Sequence, residues 1–298
     1  MLSLPALAAP SYLGGRRPER PWRPGDIRLT PLWRRLRRRH GLTLDWRGCL
    51  TPPDKASGQP ALAEYLNRLR DGVYNELSSG RPLFVLGGDH ANAMAVWDAA
   101  MAAVGERRFG LLWIDAHLDC HTFMTTPSGN VHGMPLAALL GLADPPLAAL
   151  MPGRCRLRPE ALCLFGVRSY ERAEQEAMAR LKVRVIQAAR VRRDGIDGAL
   201  DGALDHLERH CEHYGISIDL DAIHPRQAPA VATPVVGGLN GPALCQALCR
   251  RVDPDRCRIL EIAEFYPSLD RAGRTQRLLA DLVGAWWWSR GSRRRGWA

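Results

Sequence analysis

Three apolar runs along the chain predict buried strands. They occupy residues 83–86, 111–114 and 215–218, and each is long enough for a strand whose two faces are both covered. Strands buried on both faces are typical of a parallel sheet in an α/β protein. Polar residues follow each run directly, and ligands in such proteins bind at the carboxyl ends of the strands. We therefore expect the three polar clusters to converge at one edge of the sheet.

These polar clusters contain residue types that bind metals. Their sequences are Gly-Gly-Asp-His at 87–90, Asp-Ala-His-Leu-Asp at 115–119 and Asp-Leu-Asp at 219–221. Alternate residues of an extended segment share a face, so the polar residues of the second cluster would point the same way, as would those of the third. The six candidate ligands are His90, Asp115, His117, Asp119, Asp219 and Asp221.

The chemistry of this ligand set favours manganese. Two imidazoles and several carboxylates suit Mn²⁺ better than Zn²⁺ or Ca²⁺, and the carboxylates are numerous enough to bridge two ions. A lone Asp-x-Asp after a strand is more often a turn or a helix cap. Three such clusters at strand ends outweigh that alternative, because buried carboxylates without cations would be very costly.

Six segments, in this order, resemble the ureohydrolase superfamily of arginases, agmatinases and formimidoylglutamases, and in particular its bacterial arginase-like branch. They are GGDH at 87–90, DAHLD at 115–119, SGNVHGMP at 128–135, SIDLDAIHP at 217–225, ATPVVGG at 232–238 and EFYP at 264–267. The match covers residues 82–285. The resemblance implies a three-layer α/β/α sandwich with a central parallel sheet, a single ureohydrolase domain over residues 1–298, and two Mn²⁺ per subunit.

The resemblance also divides the ligands between the two ions. It assigns His90, Asp115, Asp119 and Asp219 to the first ion, and Asp115, His117, Asp219 and Asp221 to the second, so that Asp115 and Asp219 bridge. Two cations about 3.5–4 Å apart can share a water and lower its pKa toward neutrality.

Three residues match catalytic positions of the family. Glu264 matches the glutamate that binds the guanidinium group, for which a carboxylate offers a bidentate partner. His132 matches a proton-shuttling histidine, and Asp119 is placed to pass a proton to the leaving amine. A loop histidine that caps a backbone group is the alternative for His132, but the surrounding motif favours the shuttle role.

The far end of the substrate depends on other positions. Residues 128–133 have the Ser-Gly-Asn-x-His-Gly form of arginases, in which Ser128 and Asn130 match contacts to the amino-acid end. His121 replaces an Asn that binds the α-carboxylate, and Glu171 replaces an Asp that binds the α-amino group. Both keep the required donor or acceptor. Thr233 matches a hydrogen-bonding residue of the active site.

Three further positions depart from the family pattern. Ala232 replaces a Gly, so a positive φ there would be strained. His224 replaces an Asp, and Tyr266 replaces an Asn. We expect hydrolysis of L-arginine to L-ornithine and urea. The alternatives are an agmatinase, a guanidino-acid hydrolase or a formimidoylglutamase, or a weakly active paralogue with a binding or regulatory role.

The net charge of +10 is unevenly distributed. A divergent basic segment covers about residues 14–45 and includes the arginine run at 34–39 on a predicted helix, and a basic tail covers 289–298. Such runs can bind nucleic acid or acidic lipid. No nucleic-acid motif accompanies them, so we interpret them as solvated faces and expect no nucleic-acid partner.

The remaining features predict a cytoplasmic protein without a membrane span. The apolar start, residues 1–9, is short and broken by Pro5, so it is interpreted as a first strand and not as a signal peptide. The eight cysteines form no disulfide-like framework and are expected to be reduced thiols.

Two predicted helices carry conspicuous residues. The first is predicted from Gly198 to Tyr214. Its solvated face would carry three histidines, His206, His210 and His213. The second, Thr275 to Trp288, ends in three consecutive tryptophans. At least one of them should be exposed, which suggests a subunit contact. The resemblance implies a homo-oligomer, either a trimer or a hexamer.

Overall fold

The computed structural model describes residues 2–15, 17, 19–27, 30–52 and 57–295. The predicted basic segment at 14–45 therefore lies partly outside the described residues, at positions 16, 18, 28 and 29. The same holds for the predicted basic tail, of which residues 296–298 and the side chains of 290–295 are outside.

Eight parallel strands form one sheet, in the order β2-β1-β3-β8-β7-β4-β5-β6. The strands are β1 (Leu2–Ala9), β2 (Leu42–Cys49), β3 (Leu83–Gly87), β4 (Phe109–Ile114), β5 (Leu162–Val167), β6 (Arg184–Gln187), β7 (His213–Asp219) and β8 (Cys257–Ala263). The three apolar runs are β3, β4 and the greater part of β7. Leu2–Ala9 form β1, which confirms the predicted first strand.

Helices cover both faces of the sheet. They are α1 (Pro24–Ile27), α2 (Pro31–His40), α3 (Gly58–Ser78), α4 (Ala93–Val104), α5 (Pro135–Leu139), α6 (Pro145–Ala148), α7 (Arg172–Leu181), α8 (Ala188–Asp194), α9 (Ile196–His210), α10 (Gly241–Arg251) and α11 (Arg274–Arg295). Helices α2, α8, α9, α10 and α11 bury residues in one core, and α3, α4, α5, α6 and α7 bury residues in the other. This arrangement confirms the predicted three-layer α/β/α fold.

Strand β4 shows why the apolar runs have no polar alternation. Leu112 and Ile114 pack in the core on one face, whereas Leu111 and Trp113 pack in the core on the other. Successive side chains of a strand point to opposite faces, so a strand covered on both sides needs apolar residues throughout. The arginine run at 34–39 lies on α2, as predicted, and only Leu32 and Leu36 of that helix are buried.

The predicted helix from Gly198 to Tyr214 is wrong at its end. Helix α9 stops at His210, and His213 begins β7, where it pairs with Phe109 of β4. Arg256 donates to the carbonyl oxygens of Glu208 and Cys211 and therefore caps the helix. His213 consequently does not share a helical face with His206 and His210.

The prediction of an exposed tryptophan near the end of the last helix is also wrong. Helix α11 continues to Arg295, beyond the predicted Trp288. Trp286 is fully buried, and Trp287 and Trp288 are half-buried. The indole of Trp288 donates to the carbonyl oxygen of His40 at 3.1 Å, which holds it against α2.

Two other predictions concern the whole of the described chain. Within that part, no helix combines the length and apolarity that a bilayer crossing requires. No disulfide joins any of the eight cysteines, in agreement with the prediction of reduced thiols.

Candidate metal centre and substrate cavity

The predicted site residues follow five strands that are adjacent in the sheet. The order β3-β8-β7-β4-β5 places His90, Glu264, the 219–221 cluster, the 115–119 cluster and Glu171 side by side. The strands are parallel, so all their carboxyl ends lie at one edge. Convergence of the polar clusters therefore follows from the sheet topology.

One group of candidate ligands surrounds the imidazole of His90. Its Nδ1 lies 3.2 Å from Asp115 Oδ2, 3.1 Å from Asp119 Oδ2 and 3.1 Å from Asp219 Oδ2. All four side chains are buried, and His90 Nδ1 has no hydrogen bond of acceptable geometry among the described residues. One nitrogen facing three carboxylates without a hydrogen bond fits a shared cation at their centre.

A second group lies beside the first. His117 Nδ1 is 3.1 Å from Asp221 Oδ2 and 3.6 Å from Asp115 Oδ1. Asp115 thus presents one oxygen to each imidazole, as a bridging ligand would. Asp219, for which the sequence also predicts a bridging role, clusters with the first group only.

The backbone that follows each strand holds these carboxylates in place. Asp115 Oδ1 accepts a hydrogen bond from the amide of His117, and Asp219 Oδ1 accepts one from the amide of Asp221, both at 2.7 Å. Asp119 and Glu264 have φ angles of 48° and 57°. Positive φ is uncommon outside glycine, and such strained residues concentrate at functional sites.

The pKa values of the clustered carboxyl groups depend on burial, which raises them, and on the neighbouring imidazoles, which lower them. Burial raises the pKa of Asp119 to about 6, with the charge of Asp115 adding to the effect. Burial also raises the pKa of Asp219 well above its usual value. At Asp115 burial acts in the same direction, but His117 and His90 outweigh it and lower the pKa. The cluster therefore holds more buried negative charge than its imidazoles compensate, which favours bound cations.

Ser217 and Glu261 form a buried chain of hydrogen bonds that begins at His90 and is called the relay below. His90 Nε2 lies 2.9 Å from Ser217 Oγ, and that hydroxyl donates to Glu261 Oε2 at 2.9 Å. The ring also stacks on Trp113, with a centroid distance of 4.2 Å. These contacts fix the ring so that Nδ1 faces the carboxylates. Sequence analysis missed Ser217 and Glu261, because they lie inside strands.

Glu264 is buried between the metal-ligand groups and His132. Its Oε1 accepts from the amide of His90 at 2.9 Å and lies 3.2 Å from His132 Nδ1. Its Oε2 is buried and has no hydrogen-bond partner among the described residues. Burial acts to raise the pKa of Glu264, but His132 outweighs it and lowers that pKa. The result is a buried carboxylate with one oxygen available to a cationic ligand.

A cavity of about 250 Å³ opens above the metal-ligand groups. Glu264, one of the predicted substrate-binding residues, is not among the residues that line this cavity. Together with His132, the cavity is lined by the five others, His121, Ser128, Asn130, Glu171 and Thr233. Glu174, which sequence analysis missed, lines it as well. The detectable signal was the pair of glutamates three residues apart at the start of α7, where they form a capping box.

Comparison with known proteins agrees with this geometry. The family model described as "Arginase family" matches residues 26–287. The arginase of Bacillus caldovelox is 33% identical over 225 residues, which are 76% of this chain and 75% of that protein. The chain belongs to the arginase family. Arginases are hydrolases acting on C–N bonds of linear amidines, so the prediction of such an enzyme is confirmed.

Solved structures support the same assignment. The crystal structure of the arginase from Bacillus cereus superposes with a TM-score of 0.85 at 28% identity, covering 96% of this chain and 98% of that chain. Formimidoylglutamase from Bacillus subtilis has a TM-score of 0.78 at 18% identity, covering 97% and 87% of the two chains. The second likeness concerns the fold alone.

The departures from the arginase pattern have modest structural consequences. Ala232 is not among the described residues with positive φ, so the strain considered for this position does not arise. His224 Nδ1 accepts from the amide of Arg226 at 3.2 Å and thus caps a loop. Tyr266 is buried against Tyr12, with ring centroids 4.8 Å apart. Thr233 Oγ1 donates to Asp221 Oδ2 at 3.2 Å, so the altered loop still reaches the metal-ligand group.

Proposed function

We propose that this protein is an arginase that hydrolyses L-arginine to L-ornithine and urea with two Mn²⁺ bound per subunit. The observation that carries the proposal is the pair of ligand groups joined by Asp115, next to buried Glu264 and beneath a cavity lined by Ser128, Asn130 and Glu171. Two imidazoles with an excess of carboxylates suit Mn²⁺.

The proposed ligands are those predicted from the sequence: His90, Asp115, His117, Asp119, Asp219 and Asp221. Two ions bound there would activate a water for attack and stabilise developing negative charge. Glu264 would bind the guanidinium group through Oε2, the oxygen that lacks a partner. Because Glu264 is buried, this charge-assisted pair is poorly screened by water.

His132 would supply a proton to the leaving amine. Burial acts to lower its pKa, but the charge of Glu264 outweighs this and raises it to about 9. His132 is therefore protonated at neutral pH and can act as a general acid. Asp119 lines the same cavity and could accept a proton from the attacking water.

Residues at the far end of the cavity would bind the α-amino and α-carboxylate groups of the substrate. Ser128 and Asn130 can donate to a carboxylate, and Glu171 can accept from an ammonium group. Agmatine retains the ammonium group but lacks the carboxylate, and guanidino acids retain only the carboxylate. Recognition of both groups therefore favours L-arginine over these alternatives.

The test is an assay of the purified protein after its metals have been removed and Mn²⁺ has been added back. We expect urea and ornithine in equal amounts from L-arginine, and neither product before Mn²⁺ is added. Mn²⁺-loaded protein that releases no urea would contradict the proposal and favour a binding or regulatory role.

We further propose a cytoplasmic homo-oligomer, a trimer or a hexamer. Eight cysteines without a disulfide support a reducing compartment. Membership of the arginase family, whose resemblance implies a trimer or a hexamer, supports the homo-oligomer. Light scattering coupled to gel filtration measures the subunit number, and a monomer would contradict this part of the proposal.

A further inference from the structure

A third group of potential metal ligands lies in the substrate cavity, separate from the two groups already described. It consists of His121, Glu171 and Glu174, which come from the segment after β4 and from the start of α7. His121 Nε2 lies 2.9 Å from Glu171 Oε2 and 3.3 Å from Glu174 Oε2. Each of the three offers one ligand atom to a common centre.

The spacing of these atoms fits a tetrahedral cation. Zinc bonds of 2.0–2.1 Å place neighbouring tetrahedral ligands about 3.3 Å apart. His121 Nε2 lies 2.9 Å from one glutamate oxygen and 3.3 Å from the other. The distance between His117 Nδ1 and Asp221 Oδ2 in the second group, 3.1 Å, lies between these two values. Histidine nitrogen and carboxylate oxygen are ligand atoms that zinc accepts, and three protein ligands leave a fourth position open for water.

The contacts of His121 direct its Nε2, and not its Nδ1, toward the glutamates. Nδ1 lies 3.1 Å from Thr125 Oγ1, which can accept its proton. Nε2 is the nitrogen that faces the glutamates, where it forms a hydrogen bond with Glu171 Oε2 that a cation would replace. Histidine ligands commonly donate their second ring N–H in this way, which fixes the tautomer and the ring orientation.

Burial and charge distinguish this group from an ordinary surface ion pair. The side chains of His121 and Glu174 are 9% and 3% exposed, whereas that of Glu171 is 58% exposed and provides a route for an ion from solvent. The group presents two glutamate carboxyl groups and one imidazole to a common centre, and both types of ligand can bind a divalent cation.

We propose that His121, Glu171 and Glu174 form a third cation site that can bind Zn²⁺ and whose occupation blocks the far end of the substrate cavity. Its inhibitory effect, though not the binding of Zn²⁺, rests on the proposed arginase function. A cation there occupies Glu171 and His121, the two residues that would otherwise contact the α-amino and α-carboxylate groups. Zn²⁺ therefore acts as a competitive inhibitor of Mn²⁺-loaded enzyme.

Anomalous diffraction tests the site directly. Crystals of Mn²⁺-loaded protein are soaked in Zn²⁺, and data are collected on both sides of the zinc absorption edge. We expect a zinc peak between His121, Glu171 and Glu174. The peak is lost in His121→Asn and retained in His206→Asn, which removes an imidazole from α9. Zinc found only in place of manganese, or a peak that survives His121→Asn, would overturn the proposal.

A second variant and an inhibition assay complete the test. Glu171→Gln removes a ligand charge with little change in shape, so it covers the case in which His121→Asn does not fold. We expect the inhibition constant of Zn²⁺ for urea release to rise at least tenfold in either variant relative to His206→Asn. Equal inhibition by Zn²⁺ in His121→Asn, Glu171→Gln and His206→Asn would contradict the proposal that Zn²⁺ blocks the substrate cavity. If arginine is not hydrolysed at all, the arginase proposal fails, but the diffraction experiment still decides whether the site exists.

Discussion

The two ends of the cavity differ in how the chain builds them. The metal-ligand end consists of residues directly after β3, β4 and β7, and their side chains are nearly all buried. The far end is assembled from the 121–130 loop and the N-terminus of α7, and Glu171 there is largely exposed. The strand ends are fixed by the sheet, whereas the loop positions depend on side-chain contacts. Under the proposed function, the reacting groups would therefore stand on a rigid framework and the substrate-selecting residues on a more adjustable one.

The largest expected effect is at the metal-ligand end. Asp119→Asn removes one ligand charge and a proton acceptor, so we expect turnover of arginine to fall at least about 1,000-fold. Asn tolerates positive φ, so the φ of 48° at this position should not unfold the variant. Steady-state kinetics measure the loss, and circular dichroism checks the fold.

The matched control is Asp201→Asn on the surface of α9. Asp201 lies 2.7 Å from Arg251 in an exposed ion pair that contributes little to stability. Normal activity in Asp119→Asn would contradict the proposed role of this end of the cavity.

The next effect is a pH dependence of stability from the contact between His132 and Glu264. The pKa of His132 is raised to about 9 in the folded protein, so its stabilising contribution is complete below its unfolded pKa of about 6.5. It is lost as the pH rises through 9. We expect metal-free protein to lose up to about 3 kcal/mol of unfolding free energy across this range, relative to His132→Gln. Urea unfolding at a series of pH values measures this, and parallel pH profiles would contradict it.

A smaller effect is expected from the relay behind His90. Glu261→Gln preserves shape but removes the charge that accepts from Ser217, and Ser217→Ala interrupts the relay itself. Partners behind metal ligands typically contribute 10–100-fold in affinity, so both variants should bind Mn²⁺ about 10–100-fold more weakly. Isothermal titration of metal-free protein measures this. Ser268→Ala, on the surface, is the control, and unchanged Mn²⁺ affinity in both relay variants would show that the relay is only structural.

The smallest effect is expected at the far end. Glu171→Gln should raise KM for L-arginine about tenfold, because a partly exposed charged contact contributes about 1.4 kcal/mol or less. The KM for 4-guanidinobutyrate, which has no ammonium group, should not change. An equal rise for both substrates would indicate a general distortion of the cavity.

The clustering of the candidate metal ligands could be predicted from the sequence because its signals are local. Each cluster directly follows an apolar run, and parallel strands have only one edge at which such clusters can meet. The relay could not be predicted, because it depends on the register that places Ser217 beside Glu261 across β7 and β8. No local pattern gives the order of strands in a sheet.

The far end and the helix boundaries were less predictable. Glu174 lies near His121 only because α7 packs its first turn against the segment after β4, although the two glutamates in a capping box were visible in the sequence. His213 was wrongly assigned to a helix because apolar periodicity continues through 211–214. The strand pairing of His213 with Phe109, and the arginine cap at the end of α9, override that pattern.

A side-by-side assay of urea release tests the central claim most directly. Mn²⁺-loaded and metal-free protein are compared on L-arginine, agmatine and 4-guanidinobutyrate, with kcat/KM as the readout. The account predicts activity that requires Mn²⁺ and a clear preference for L-arginine. Equal or greater kcat/KM for agmatine or 4-guanidinobutyrate, or turnover without metal, would contradict it.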